Sequence, residues 1–231
     1  MHDDGTLWKM IYLARRNPRL APEDFAAAWR EHSALGRNCT NVQQRVRSVA
    51  QCTRLLDALP DGCSSGFDGV NLMALRDRAS ADAIWSDPET LATMRPDEPR
   101  VFDRYVRECA LVAREQVLHG GSGGTAGCAA VLTAFLKRRD RVAAEDFERA
   151  LPLAPQPWSA VRASRLNIVE PGRPPGHDWD AVLEWWFEDA QQLVQSLAAR
   201  PLRGALPLLY RTVCESGASL FLATRVSHRR P

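Results

Sequence analysis

The chain has 231 residues, 45% of them hydrophobic, with 30 basic and 28 acidic residues and a net charge of +2. So balanced a charge sets up no field that would recruit nucleic acid or an anionic membrane, and neither is expected as a partner. The length suffices for a core in each of two units.

Met10 to Ala14 reads as a strand ended by the basic turn Arg15-Arg16-Asn17-Pro18. Ala21-Pro22-Glu23-Asp24 then starts a helix, with proline in its first turn and two carboxylates at its positive end. Phe25, Trp29 and His32 follow on one helical face, and Gly36 offers a stop. Arg45 to Cys52 and Asp68 to Leu75 read as a hairpin-like pair of strands around the turn Asp61 to Gly66. Ser80 is expected to cap a second helix that Pro88 breaks, and Val106 to Val117 supplies a last extended stretch. The first unit therefore has the order β-α-β-β-α-β, which is ferredoxin-like.

His119 to Gly127 holds five glycines in nine residues and reads as a flexible tether. After it the order recurs. Lys9–Phe25 aligns without a gap on Val131–Phe147, 122 residues on, with six identities in seventeen positions, Arg16/Arg138 and Phe25/Phe147 among them. The second unit continues with a helix from Ala144, strands at Val161–Val169 and Ala181–Phe187, a helix at Ala190–Ala199 and extended chain from Leu206. Leu151 and Ala154 stand where the first unit has Trp29 and His32, and Pro152 and Pro155 shorten that helix. Expected domains are residues 1–118, a linker at 119–127, and residues 128–231.

KMIYLARRNPRLAPEDFAAAWREHS, the strand beginning FDGV, and DEPRVFDRYV from Asp97 to Val106 resemble the EthD family of the dimeric α/β-barrel superfamily. The resemblance covers residues 9–112, and residues 131–229 resemble a second, degenerate copy. It implies an α+β fold in which two ferredoxin-like units form an intramolecular dimeric α/β-barrel around a shared cavity. Many relatives carry the histidine four residues after the tryptophan, whereas here that position is Ser33 and histidine is at His32.

His32 is the first catalytic candidate, because imidazole both takes and gives a proton near neutral pH. Tyr12 shares a strand face with Met10 and Ala14, and it suits either an oxyanion donor in the cavity or a core tyrosine. Asp68, just before Gly69, is placed to orient a histidine, to act as a base, or to form a turn. Gln51 and Asn71 sit inside strands, where a polar cavity or a solvent-facing sheet would account for them. Trp29 and Trp85, with Trp179, Trp185 and Trp186, would line an aromatic pocket or fill the core. Arg15, Arg16, Arg138 and Arg139 offer an anion site or solvated turns.

Three functions follow from the resemblance. One is a cofactor-independent lyase, cyclase or dehydratase acting on an aromatic or polyketide-like molecule in the barrel cavity. Another is a non-catalytic accessory protein that binds a hydrophobic metabolite. The last is a haem-binding protein or oxygenase with His32 or His177 as ligand, since His2, His119 and His228 fall in segments expected to be mobile. No cofactor is expected for the first. The six cysteines lack any C-x-x-C pair and read as free thiols, with no metal site. No apolar run approaches a membrane span and the acidic start is unlike a signal peptide, so a cytoplasmic location is expected. Pairing of exposed sheet edges into a homodimer is also allowed.

Overall fold

Alternation along the first strand sorts the interior of the molecule into two kinds of surface. In the computed structural model, which describes residues 6–121, 123–154, 156–206 and 208–230, that strand is β1 (Leu7–Ala14). Its even-numbered Met10, Tyr12 and Ala14 pack with Phe25 and Trp29 of a helix, whereas Ile11 and Leu13 face the other way. The remaining strands are β2 (Val46–Arg54), β3 (Gly69–Leu75), β4 (Ala110–His119), β5 (Ala130–Leu136), β6 (Ala163–Val169), β7 (Ala181–Phe187) and β8 (Leu220–Arg230). They hydrogen-bond in the order β1-β3-β2-β8-β5-β7-β6-β4 into one closed, wholly antiparallel barrel. Both halves belong to this barrel. Closure gives every described strand a neighbour on both sides.

Helices α1 (Phe25–Leu35), α2 (Thr40–Arg45), α3 (Arg78–Ser86), α4 (Pro88–Thr93) and α5 (Glu98–Val101) belong to the first half. Helices α6 (Ala144–Ala150), α7 (Ala190–Ala199), α8 (Leu202–Ala205) and α9 (Leu208–Val213) belong to the second. No helix among the described residues is long and apolar enough to cross a membrane. Asp77, rather than Ser80, caps α3: its carboxylate accepts from the Ser80 backbone N–H at 2.8 Å. Asp189 does the same for Gln192 at the start of α7. The helix does break before Pro88: α3 ends at Ser86, and Pro88 opens the separate α4 with Asp87 as its cap, because proline's missing N–H costs nothing in a first turn. The extended stretch expected from Leu206 begins only at Leu220, after α9.

Repetition extends to side chains. The carboxylate of Asp68 accepts the Arg16 backbone N–H at 3.0 Å, and that of Asp180 accepts the Arg138 N–H at 2.7 Å. Gly69 pairs with Ala14, as Ala181 pairs with Leu136. The helix above explains the difference between Gly69 and Ala181. A Cβ on Gly69 would lie 2.7 Å from the Trp29 ring and 2.6 Å from the Cys52 carbonyl, while the second half carries Leu151 where Trp29 stands. Gly69→Ala is therefore expected to cost about 1–3 kcal/mol in denaturant unfolding. In a Trp29→Leu background the same change should cost less, which a double-mutant cycle would read as coupling.

The barrel interior is filled rather than hollow. One apolar cluster draws on all eight strands, with Ile11, Leu72, Leu111, Phe135, Trp186 and Leu222 at or below 4% exposure. On the same inward face lies a polar group in which Lys9 bonds Glu184 at 2.6 Å and also pairs with Glu115. Asn167 Nδ2 and Trp186 Nε1 donate to the Glu184 carboxylate at 2.8 Å each. Burial opposes the Lys9 ammonium, but Glu184 and Glu115 outweigh it and hold its pKa above the ordinary value. The glycine-rich stretch after β4 begins as turns docked on the barrel end: Arg165, 2% exposed, donates to the carbonyls of His119 and Gly121.

Candidate active site

Tyr12, Asn71 and Gln51 form one row across β1, β3 and β2, since Tyr12 pairs with Asn71 and Asn71 with Gln51. Gln51 also pairs with His228 of β8. The row lies on the outer face of the barrel beneath α1, so these three side chains do not enter a shared cavity inside it. Alternation explains the correction: Tyr12 has the parity of Met10, which packs against the helix layer, not that of Ile11. Helix α1 covers the row with Trp29, whose ring centroid is 6.1 Å from that of Tyr12 and whose carbonyl accepts from Gln51 Nε2 at 3.4 Å.

This shelf is deeply buried yet poorly satisfied. Gln51 is 2% and Asn71 1% exposed, and Gln51 Oε1, Asn71 Nδ2 and Trp29 Nε1 have no hydrogen-bond partner among the described residues. Orphaned buried polar atoms are uncommon, and three in adjoining positions mark a place built for something polar. Burial pushes the Tyr12 phenol well above its ordinary pKa, with the nearby Trp29 indole pulling the other way although it does not reach hydrogen-bond geometry. Tyr12 is therefore a neutral donor at physiological pH.

His32 closes the shelf at the end of α1. Its ring is 4% exposed and sits edge-on to Phe102 at 5.4 Å, and Phe102 also meets the Tyr12 and Trp29 rings. The one-residue displacement from the common family position thus still turns this side chain inward. His32 Nδ1 lies 3.0 Å from Asp97 Oδ2, and Arg100 braces the same carboxylate through Nε at 2.7 Å and Nη2 at 3.1 Å. Burial pulls the imidazole pKa below its ordinary value, Asp97 opposes that, and Arg100 adds to it. A neutral ring held through Nδ1–H on a carboxylate presents Nε2 as a base.

Asp68 is not the group that orients the histidine. It spends its oxygens on the Arg16 backbone and on the Arg16 and Arg54 side chains, a clasp that Asp180 repeats with Arg138 and Arg173. The orienting role falls to Asp97, 65 residues from His32 in sequence. Trp85 is half-buried on α3 against the same core cluster as Trp29. Trp185 belongs to the second half's outer core, Trp186 lies inside the barrel, and Trp179 stands edge-on to Phe135. Arg15 and Arg139 donate to backbone carbonyls of Gly66 and Cys214, so the two basic turns are tied to neighbouring backbone. His119 and His228 lie in β4 and β8 instead of in mobile segments, and His2 lies outside the described residues.

Two of the cavities flank α1. One of about 230 Å³ at its start is lined by Pro22, Phe25, Ala26, Thr53, Arg54 and Asp68, and one of about 430 Å³ at its end by Arg37, Gln43, Val46 and Arg230. Haem finds no fitting place among the described histidines. His32 is committed to Asp97 within packed rings, and His177 borders a cavity of only about 130 Å³, below the roughly 300–1,000 Å³ of small-molecule sites. His228 stands among Arg37, Arg30 and Arg230, cations that a haem iron would not favour beside its ligand.

The strands and helices make a mixed α/β fold around a closed, antiparallel eight-strand barrel. The EthD domain model matches residues 17–105. The chain is similar in structure to an anthrone oxidase-like protein, with TM-score 0.62 at 13% identity, covering 99% of this chain and 94% of that one. It is also similar to a monooxygenase-like protein from Lactobacillus acidophilus NCFM, with TM-score 0.53 at 8% identity, over 97% and 95% of the two chains. A variant of chlorite dismutase from Candidatus Nitrospira defluvii matches with TM-score 0.50 at 11% identity, over 94% and 91%. No curated protein matches the chain. Likeness at such identities speaks to the fold alone.

Proposed function

We propose that this chain is a small-molecule enzyme working by general acid/base catalysis without a cofactor, a lyase, cyclase or dehydratase for an aromatic or polyketide-like substrate. The observation that carries the reading is the buried His32–Asp97 pair set beside three orphaned polar groups under α1. In a dehydration, neutral His32 Nε2 takes the proton from the carbon beside a carbonyl while the Tyr12 hydroxyl donates to the enolate oxygen. The imidazolium then gives that proton to the departing hydroxyl, a carbon–carbon double bond forms, and water leaves. Gln51, Asn71 and Trp29 orient the substrate, and Trp85 belongs to the wall behind them. We also infer two ferredoxin-like EthD-type units, residues 1–118 and 128–231, joined through 119–127. The supporting observation is that the strand order β4-β1-β3-β2 recurs as β8-β5-β7-β6.

One observation favours a second reading. Similarity to an anthrone oxidase-like protein over nearly the whole of both chains supports oxygen-consuming chemistry on a polycyclic substrate. Incubating purified protein with anthrone and with β-hydroxy aromatic ketones under air, with oxygen uptake and products recorded together, separates the two. Conversion without oxygen uptake supports acid/base catalysis, whereas uptake matched to product supports the oxidative reading. Binding with no turnover of any kind sinks both and marks an accessory protein.

A further inference from the structure

The row of polar groups beneath α1 does not stop at Gln51. It continues onto β8, where His228 pairs with Gln51 and Arg230 pairs with Val49, both on the outer face of the barrel. Arg229 between them has the opposite parity and turns to the Trp186 ring and the Cys128 carbonyl. Arg30 and Arg37, seven residues apart, lie on the side of α1 and its following turn that faces His228. Arg37 and Arg230 both line the groove of about 430 Å³, with Gln43 and Val46 completing it. The Gln43 side chain bonds the Arg37 carbonyl and fixes this turn against α2.

What distinguishes the groove is that no described carboxylate pairs with its cations. The side chains of Arg30, Arg37 and Arg230 make no hydrogen bond or ion pair with a described residue, whereas Arg16, Arg54, Arg100 and Arg138 are each paired with aspartate. Burial and the positive neighbours Arg37, Arg30 and Arg230 lower the pKa of His228, and burial with Arg37 lowers that of Arg230. Cations gathered around one concavity without carboxylates repel each other until an anion enters, which then gains all of their fields at once.

We propose that this groove is an anion site that holds the carboxylate of a small aromatic acid between Arg37 and Arg230, with Arg30 and His228 reinforcing the charge. The inference rests on reading the shelf under α1 as a small-molecule site. It adds that the substrate is an acid whose ring lies toward Gln51 and whose carboxylate emerges at the β8 side.

Calorimetric titration of the full chain with 2-naphthoate, with neutral 2-naphthol and inorganic phosphate alongside, tests the assignment. Naphthoate should bind more tightly than naphthol, and phosphate should compete with it. Arg37→Gln combined with Arg230→Gln should weaken naphthoate by about tenfold or more and leave naphthol unchanged. Both side chains reach solvent, so the double variant keeps its circular dichroism spectrum. Equal affinity for acid and alcohol, unchanged naphthoate affinity in the double variant, or no naphthoate binding in the millimolar range would each overturn the site. A failure of the catalytic reading would show as absent turnover by the wild type, whereas a failure of this site would show in the naphthoate titration of the double variant.

Discussion

Replacing Glu184 by alanine is expected to lower the unfolding free energy by about 3–5 kcal/mol, the cost of leaving one partner of a buried ion pair uncompensated. Glu184 is wholly buried, and it accepts from Lys9, Asn167 and Trp186 at once. Removing it takes one of two carboxylates from the Lys9 ammonium, which keeps Glu115, and leaves the Trp186 indole N–H without its acceptor, while Asn167 keeps only the Val182 carbonyl. Glu184→Gln should cost less, because its amide oxygen still accepts from one of the three. Urea unfolding with the slope compared between variants checks this, and a loss under 1 kcal/mol for Glu184→Ala would show that water reaches the group.

His32→Ala is expected to reduce turnover of whatever substrate the protein converts by about 10²–10⁴-fold, with the far-ultraviolet spectrum retained. Asp97→Asn should give a smaller loss, since the base remains but its tautomer and aim are no longer fixed. The pH profile carries a sign. A base whose pKa lies below the ordinary imidazole value keeps the enzyme active down into mild acid, and activity falls as protons titrate Nε2. Stability follows the same direction. The unfolded chain binds protons on this histidine more readily than the folded one, so the contribution is whole above the unfolded pKa and shrinks as pH falls toward the folded value. Burial lowers His177 and His228 as well, and both add to this loss in acid. A turnover profile flat across this range in the wild type would remove His32 from the mechanism.

Much of the architecture was legible in the sequence because local pattern and tertiary fold agree in it. The match between Lys9–Phe25 and Val131–Phe147 marks two strand–turn–helix segments, and the structure places them at equivalent points of one barrel. Strand β7 and helix α7 fall where their apolar runs and caps put them. His32, Trp29, Tyr12, Gln51 and Asn71 do come together, although on the helix side of the sheet. The face was not legible, because alternation says that two faces exist and not which one closes into a barrel. Asp97 escaped notice for a different reason: it sits in a proline-flanked turn, and only the fold carries that turn to α1. Lys9 and Glu184 did leave a trace, each being a charge inside an otherwise apolar strand, LWKMIYLA and AVLEWWF. A lone charge in such a run calls for an opposite charge across the interior.

That ion pair bears on how the chain finds its own partner half. Glu184 occupies the position that Leu72 holds in the other sheet, and Lys9 the position that Val131 holds. Two amino-terminal halves from different molecules, closing a barrel together, would bury each lysine with half its compensation gone. Two carboxy-terminal halves would seal in bare glutamates. Joining an amino-terminal half to a carboxy-terminal half gives Glu184 its lysine and Lys9 its second carboxylate, so electrostatics favours unlike halves over like ones in closing the barrel.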